Sequence, residues 1–151
     1  MAVGQVSGYQ GNASIDFLEN GFDQKIKVYN GTGAAVNNGK VYILSFDATY
    51  GATISTPATS SVPQHVVVID NSELGQSSIA AGAYGYAVYR GYATVACANT
   101  IAAGDFLGAA NASTTAADAG TSRTANSFGI ALTAYSGGSC TAILFGDTVT
   151  I

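Results

Sequence analysis

Apolar and polar residues along this chain alternate in short runs, and Gly or Asn turns break the runs about every 8–12 residues, the spacing of an all-β domain. In 23–30, DQKIKVYN, Ile26 and Val28 fall on one face and Lys25, Lys27 and Tyr29 on the other. NNGK (37–40) turns the chain into VYILSF (41–46), which is apolar on both faces and predicts a central strand. HVVVID (65–70) predicts a second buried strand. Between them, 50–64 is rich in Ser and Thr and holds both prolines, so it is expected to be an exposed loop.

The segment 81–98, AGAYGYAVYRGYATVACA, carries the clearest pattern. One face reads Tyr84, Tyr86, Val88, Arg90, Tyr92, Thr94; the other reads Gly85, Ala87, Tyr89, Gly91, Ala93, Val95, Cys97. The second face is small enough for a tight barrel interior or a close approach of sheets, and Gly85 and Gly91 mark candidate bulges or corners. The first face is a tyrosine ladder with two readings: cross-strand aromatic pairing within a core, or a protein interface, where Tyr is enriched. Ala103-Gly104-Asp105 is a tight turn that opens a strand at Phe106. Residues 108–126 are small and polar, which predicts a long surface loop or a poorly fixed strand pair without core residues. In 127–135 alternation places Phe128, Ile130 and Leu132 inward; Gly137 and Gly138 then turn the chain into a closing strand over 139–146, and DTVTI forms a terminal strand or strap. Residues 1–24 scatter Val6, Tyr9, Ile15, Phe17, Leu18 and Phe22 among turn formers, the pattern of an extended arm that docks its apolar side chains elsewhere. The expected organisation is an arm and first strand over 1–34 and a small β-barrel or β-sandwich over 35–151.

Composition sharpens this picture. Of 151 residues, five are Lys or Arg and nine Asp or Glu; the charged share is 9%, against about 25% in ordinary soluble domains. A chain of this mass exposes roughly 7,000 Å², so charge is sparse, at about one group per 500 Å². Such a surface lacks the solvated charge that keeps free domains apart, and it is expected to be covered by copies of itself or by another protein. A net charge of −4 without a basic run leaves out the footprint of a nucleic-acid binder. No apolar stretch approaches the roughly 20 residues of a membrane span, and the first residues carry neither half of a signal peptide.

Candidate chemistry is thin. The one histidine, His65, opens a strand, and Cys97 and Cys140 read as two small buried apolar residues in preference to a bridge. No metal-ligand or phosphate-cradling spacing occurs, so neither metal nor cofactor is expected. The carboxylates Asp16, Glu19, Asp70, Glu73, Asp105 and Asp147 sit in the arm or at turns, and no catalytic residue is assigned. The expectation is a non-enzyme.

One resemblance places these features. Arg90-Gly91 leading a strand, Ala103-Gly104-Asp105-Phe106-Leu107 opening the next, Gly129-Ile130-Ala131-Leu132 after a variable loop, and Ile143-Leu144-Phe145 in a final strand resemble the capsid decoration, or cement, proteins of bacteriophage heads. Residues 35–44, AVNNGKVYIL, resemble the first strand of the same unit. The resemblance implies a compact β-barrel or β-sandwich, often a homotrimer, that clamps neighbouring major capsid proteins on the outside of the head with help from terminal extensions. It implies a virion protein assembled in the host cytoplasm, with no nucleic-acid or membrane partner. On this expectation Val6, Tyr9, Ile15, Phe17, Phe22, Tyr84, Tyr86, Arg90 and Tyr92 form the capsid or oligomer interface. The alternative is a phage fibre or spike module that binds host surface glycans.

Overall fold

The structure is a computed structural model that describes residues 24–58 and 63–150. The expected arm, with Val6, Tyr9, Ile15, Phe17 and Phe22, lies outside the described residues. Twelve strands and one 3-10 turn (Ser72–Leu74) follow in order: β1 Gln24–Tyr29, β2 Val36–Asn37, β3 Val41–Asp47, β4 Gly51–Ser55, β5 Pro63–Ile69, β6 Ser78–Ile79, β7 Tyr84–Ala96, β8 Phe106–Gly108, β9 Ala117–Asp118, β10 Ser127–Ala131, β11 Ser139–Leu144 and β12 Thr148–Thr150. The fold is all-β, as the alternation predicts.

Strands β5, β3, β4, β1 and β7 pair in that order, and β7 pairs back to β5 through Val68↔Val88 and Ile69↔Ala87, which closes a five-stranded barrel. The β1–β4 pair is parallel and the other wall pairs are antiparallel. Beyond the barrel, the second half of β7 leads an open sheet in the order β7-β11-β10-β8-β9. Strand β12 pairs with the start of β5.

Two cores result, and β3 and β5 face both. Tyr42, Val67 and Ile69 point into the lumen with Val28, Ile54 and Ala87. Val41, Ile43, Val66 and Val68 point out of it, against Ala93, Val95, Leu107, Phe128, Ala142 and Leu144 of the open sheet. That is why these two strands read as apolar on both faces. The lumen is plugged at one end by the small two-stranded sheet of β2 and β6, whose Val36 and Ile79 are buried. Asn30, fully buried there, donates to the carbonyls of Ala34 and Ile79 at 2.7 and 2.9 Å and accepts from Thr32 at 2.7 Å.

Strand β7 serves barrel and sheet because it bends. Gly91, at φ +96°, is the corner, a conformation L-residues avoid. Gly85 is instead a point of close approach, where a Cβ would collide with Ile79 and sit 2.8 Å from Asn71 Oδ1.

Three sequence expectations need correction. The stretch 50–64 is not all loop, because β4 pairs Leu44↔Ile54 and Phe46↔Ala52 and buries Ile54. Pro63 is tolerated as the first residue of β5, where its missing N–H is least costly. Residues 108–126 do contribute to the core: Ala109 and Ala116 are buried, and Ala116 exchanges backbone hydrogen bonds with Ala96 (2.8 Å) and Ala98 (2.9 Å). Small side chains let this stretch lie directly on the body. Finally, Ile130 and Leu132 are not inward. The β8–β10 register shifts between Ser127 and Gly129, so Phe128 is an extra, bulged residue. It stays buried, but the residues after it change face: Gly129 and Ala131 are buried, Ile130 is partly exposed and Leu132 is 41% exposed.

Candidate interface surfaces

The tyrosine ladder is split by the corner at Gly91 into two separate surfaces. On the barrel, Tyr84 joins Tyr29, the last residue of β1, and Tyr50, which precedes β4. The Tyr29 and Tyr50 rings stack with centroids 4.1 Å apart and an interplanar angle of 9°, and Tyr84 meets Tyr29 edge-on at 5.2 Å. The Tyr84 hydroxyl donates to the Tyr50 carbonyl at 3.0 Å, and the Lys27 ammonium lies 4.8 Å from the Tyr84 ring centroid. Tyr86, opposite Lys27 across the β1–β7 pair, is half-buried beside this platform.

The second surface is the outward face of the open sheet. Register brings Tyr92, Ile143, Ile130 and Phe106 directly opposite one another on β7, β11, β10 and β8. They form one apolar row across four strands, with Tyr92 40% exposed and the other three partly exposed. Phe145 extends the row, its ring 6.1 Å from Phe106. Arg123 lies 4.1 Å over the Phe145 ring and pairs with Asp147, which closes this end of the face with balanced charge. Arg90, opposite Gln24 of β1, is exposed just before the corner, and Asp118 is exposed on the edge strand β9. Of the expected interface residues, Tyr84 and Tyr86 thus lie at the platform, Arg90 at the corner between barrel and sheet, and Tyr92 on the sheet face.

The sequence reading missed Phe106, Ile130 and Ile143 as surface residues. For Ile130 the missing signal is the bulge at Phe128, which carries no mark in period-2 alternation. At the unplugged end of the lumen a third feature opens, a cleft of about 350 Å³ lined by Ile26, Leu44, Phe46, His65, Val66 and Tyr89, where Phe46 is 72% exposed.

Several of the titratable groups have structural partners. Lys25 reaches Glu73 at 2.9 Å and Asp70 at 3.2 Å. Burial alone would raise the Asp70 pKa, but hydrogen bonds from Ser72 and the Lys25 charge outweigh it and hold the carboxyl below its ordinary value. Asp105 accepts from the Ala102 backbone at 2.8 Å, locking the turn that opens β8. Cys97 and Cys140 are both free and buried on the inner face of the open sheet; burial first, then the neighbouring thiol, pushes Cys140 up to about 12. Among the described residues no three His, Cys, Asp or Glu side chains gather in a way that could hold a metal ion, and no helix is long and apolar enough to cross a membrane.

No family profile matches this chain, and no curated protein matches it by sequence. Among solved structures it is similar to the head fiber gp8.5 N base of bacteriophage phi29, with a TM-score of 0.54 and 17% identity, over 85% of this chain and 99% of that one. The likeness is one of fold. It covers most of both chains, so the overall fold is one that the base of a phage head fibre also has.

Proposed function

We propose that this chain is a structural protein of a phage virion, a capsid decoration protein that sits on the outside of the head and stabilises contacts between major capsid proteins. The observation that carries the reading is the fold likeness to the base of a phage head fibre over nearly the whole of that base. The chemistry of the surface supports it. A protein that acts by binding the assembled shell in preference to free subunits needs wide, weakly charged contact area and no titrating centre. Exposed aromatic groups and a 9% charged share supply this. On this reading the Tyr29–Tyr50–Tyr84 platform, with Tyr86 and Lys27, meets the capsid, and residues 1–23 add Val6, Tyr9, Ile15, Phe17 and Phe22 as a docking arm. The protein catalyses nothing and needs no cofactor.

The platform also favours a second reading. Preorganised tyrosine rings beside an ammonium suit the faces of sugar rings, as in a fibre module that binds host glycans. One experiment separates the two: purified protein is mixed with undecorated heads and, separately, with a panel of host glycans. Saturable loading onto heads, with a rise in their melting temperature that Tyr84→Ser weakens, is the expected result. Glycan binding without head loading would overturn the decoration reading.

A further inference from the structure

We infer that the open end of the barrel is the docking site for a segment of the chain's own N-terminal region, residues 17–22, with the Phe22 ring seated in the mouth. The inference does not depend on head binding, and its test uses no heads. On the reading above, it holds the root of the arm at home and leaves Val6, Tyr9 and Ile15 for the capsid.

The mouth is made of lumen-facing positions that run out of neighbours. Ile26, Leu44 and Tyr89 continue the inward series of β1, β3 and β7 and are only partly buried against the lumen core. Phe46 follows Leu44 in the inward series of β3, and His65 precedes Val67 in that of β5. Both line the cleft, yet both are exposed, Phe46 to 72%. The far end shows a finished closure, where Val36 and Ile79 of β2 and β6 cover the lumen and are themselves buried. Nothing comparable among the described residues closes the near end, where the cleft of about 350 Å³ lies open. An exposed aromatic ring on the lip of an apolar cleft is the kind of surface that marks a contact.

The path of the chain names the occupant. Strand β1 is entered at this end: Gln24 lies opposite Arg90, whereas Tyr29 lies opposite Tyr84 and leads into Asn30 at the plug. Phe22 stands two residues before Gln24, so its Cα is within about 7 Å of the rim. Five strands spaced by about 4.8 Å make a ring roughly 24 Å round and about 8 Å across, slightly more with strand tilt. A phenyl ring at residue 22 therefore reaches the centre of the mouth. Just before it, Asn20-Gly21 is the dipeptide that best favours a tight reversal. A reversal there sends Leu18 and Phe17 back over the rim toward Phe46. A tether this short gives Phe22 an effective concentration of about millimolar, which a second copy or a diffusing ligand must outcompete.

The test is nuclear magnetic resonance on the dilute full chain with labelled Ile and Leu methyl groups. The expected result is a set of nuclear Overhauser contacts from the Phe22 ring to the Ile26 and Leu44 methyls, lost in Phe22→Ala. In a mixture of methyl-labelled Phe22→Ala chain with unlabelled wild-type chain, those contacts should stay absent, because docking occurs within one chain. Thermal melts supply a second reading. Phe22→Ala and Phe46→Ala should each lower the melting temperature by about 5 °C, and the double variant by no more than the larger single loss. Phe46 is exposed enough among the described residues that its truncation reads docking and not folding. Missing contacts in the wild-type chain overturn the inference. So do contacts in the mixed sample, which would seat a second copy in the mouth, a Phe46→Ala chain that melts with wild type, and losses that simply add.

Discussion

The two halves of β7 place similar residues in opposite situations. In the barrel half, the inner side chains meet a closed lumen, and the outer tyrosines are held by one another, by a 3.0 Å hydrogen bond and by Lys27. In the sheet half, Ala93, Val95 and Cys97 are buried just as well, yet Tyr92 outside leads a row of apolar residues that nothing among the described residues covers. A closed barrel has no edges and can satisfy itself. An open sheet can bury only one face with its own chain. The difference teaches that the barrel closes on itself, whereas the sheet leaves one apolar face uncovered among the described residues.

The sharpest way to break that comparison lies within a single strand. Phe128 and Ile130 are two residues apart, but the bulge puts one inside and the other outside. In the dilute single chain, Phe128→Ala should cost about 3–5 kcal/mol and lower the melting temperature by on the order of 10 °C, while Ile130→Ala should cost under about 1 kcal/mol. Equal losses at the two sites would mean that the outward row does not exist.

Next in size is the plug of the barrel. Asn30→Ala strips the Ala34 and Ile79 carbonyls of their buried donor and should cost about 2–3 kcal/mol by chemical denaturation. It should leave the cost of Phe128→Ala unchanged, because the plug belongs to the other half. A different cost of Phe128→Ala in the Asn30→Ala background would show that barrel and sheet are not independent.

Much of this architecture is legible in the sequence, and what is not has particular causes. The double-sided runs 41–46 and 65–70 disclose strands between two cores, and the small face of 84–97 discloses the interior. Gly104 and the Gly137–Gly138 pair announce their turns, with φ values of +93°, +60° and +100°. The barrel's closure is not legible, since it rests on β5 returning to β7 across the chain. The strand β4 is hidden because Gly51–Ser55 is small and hydroxylated, and its pairing comes from β3 alongside. The sheet face is hidden for a stricter reason. Alternation assigns faces only while register is unbroken, and a single bulged Phe128 reverses the faces of the β10 residues after it. Tyr92 could be named from sequence; its companions could not.

Smaller effects refine the contrast. Lys25→Met should cost about 1 kcal/mol or less, since its partners are partly solvated. With the Lys25 charge gone, Asp70 should titrate nearer its ordinary value. Because the folded pKa of Asp70 is lowered, its contribution is present above the unfolded carboxyl value and is lost as pH falls through the folded one; the variant should show less of that acid loss. The thiols act at the other end of the scale. With Cys140 pushed up to about 12, the folded state favours the protonated thiol, so stability from this group is complete below the ordinary thiol range of about 8.5 and declines as pH rises from there toward 12. Iodoacetamide at pH 8 should label neither cysteine in the folded chain and both after denaturation, read by mass spectrometry.

The central claim is that the sheet face is covered in the working molecule while the platform waits for the head. Hydroxyl-radical footprinting at three stages tests it directly: dilute chain, concentrated protein, and protein loaded on heads. The account predicts that Tyr84 and Tyr92 both lose reactivity on loaded heads relative to the dilute chain. Tyr92 remaining as reactive on the loaded head as in the dilute chain would contradict it.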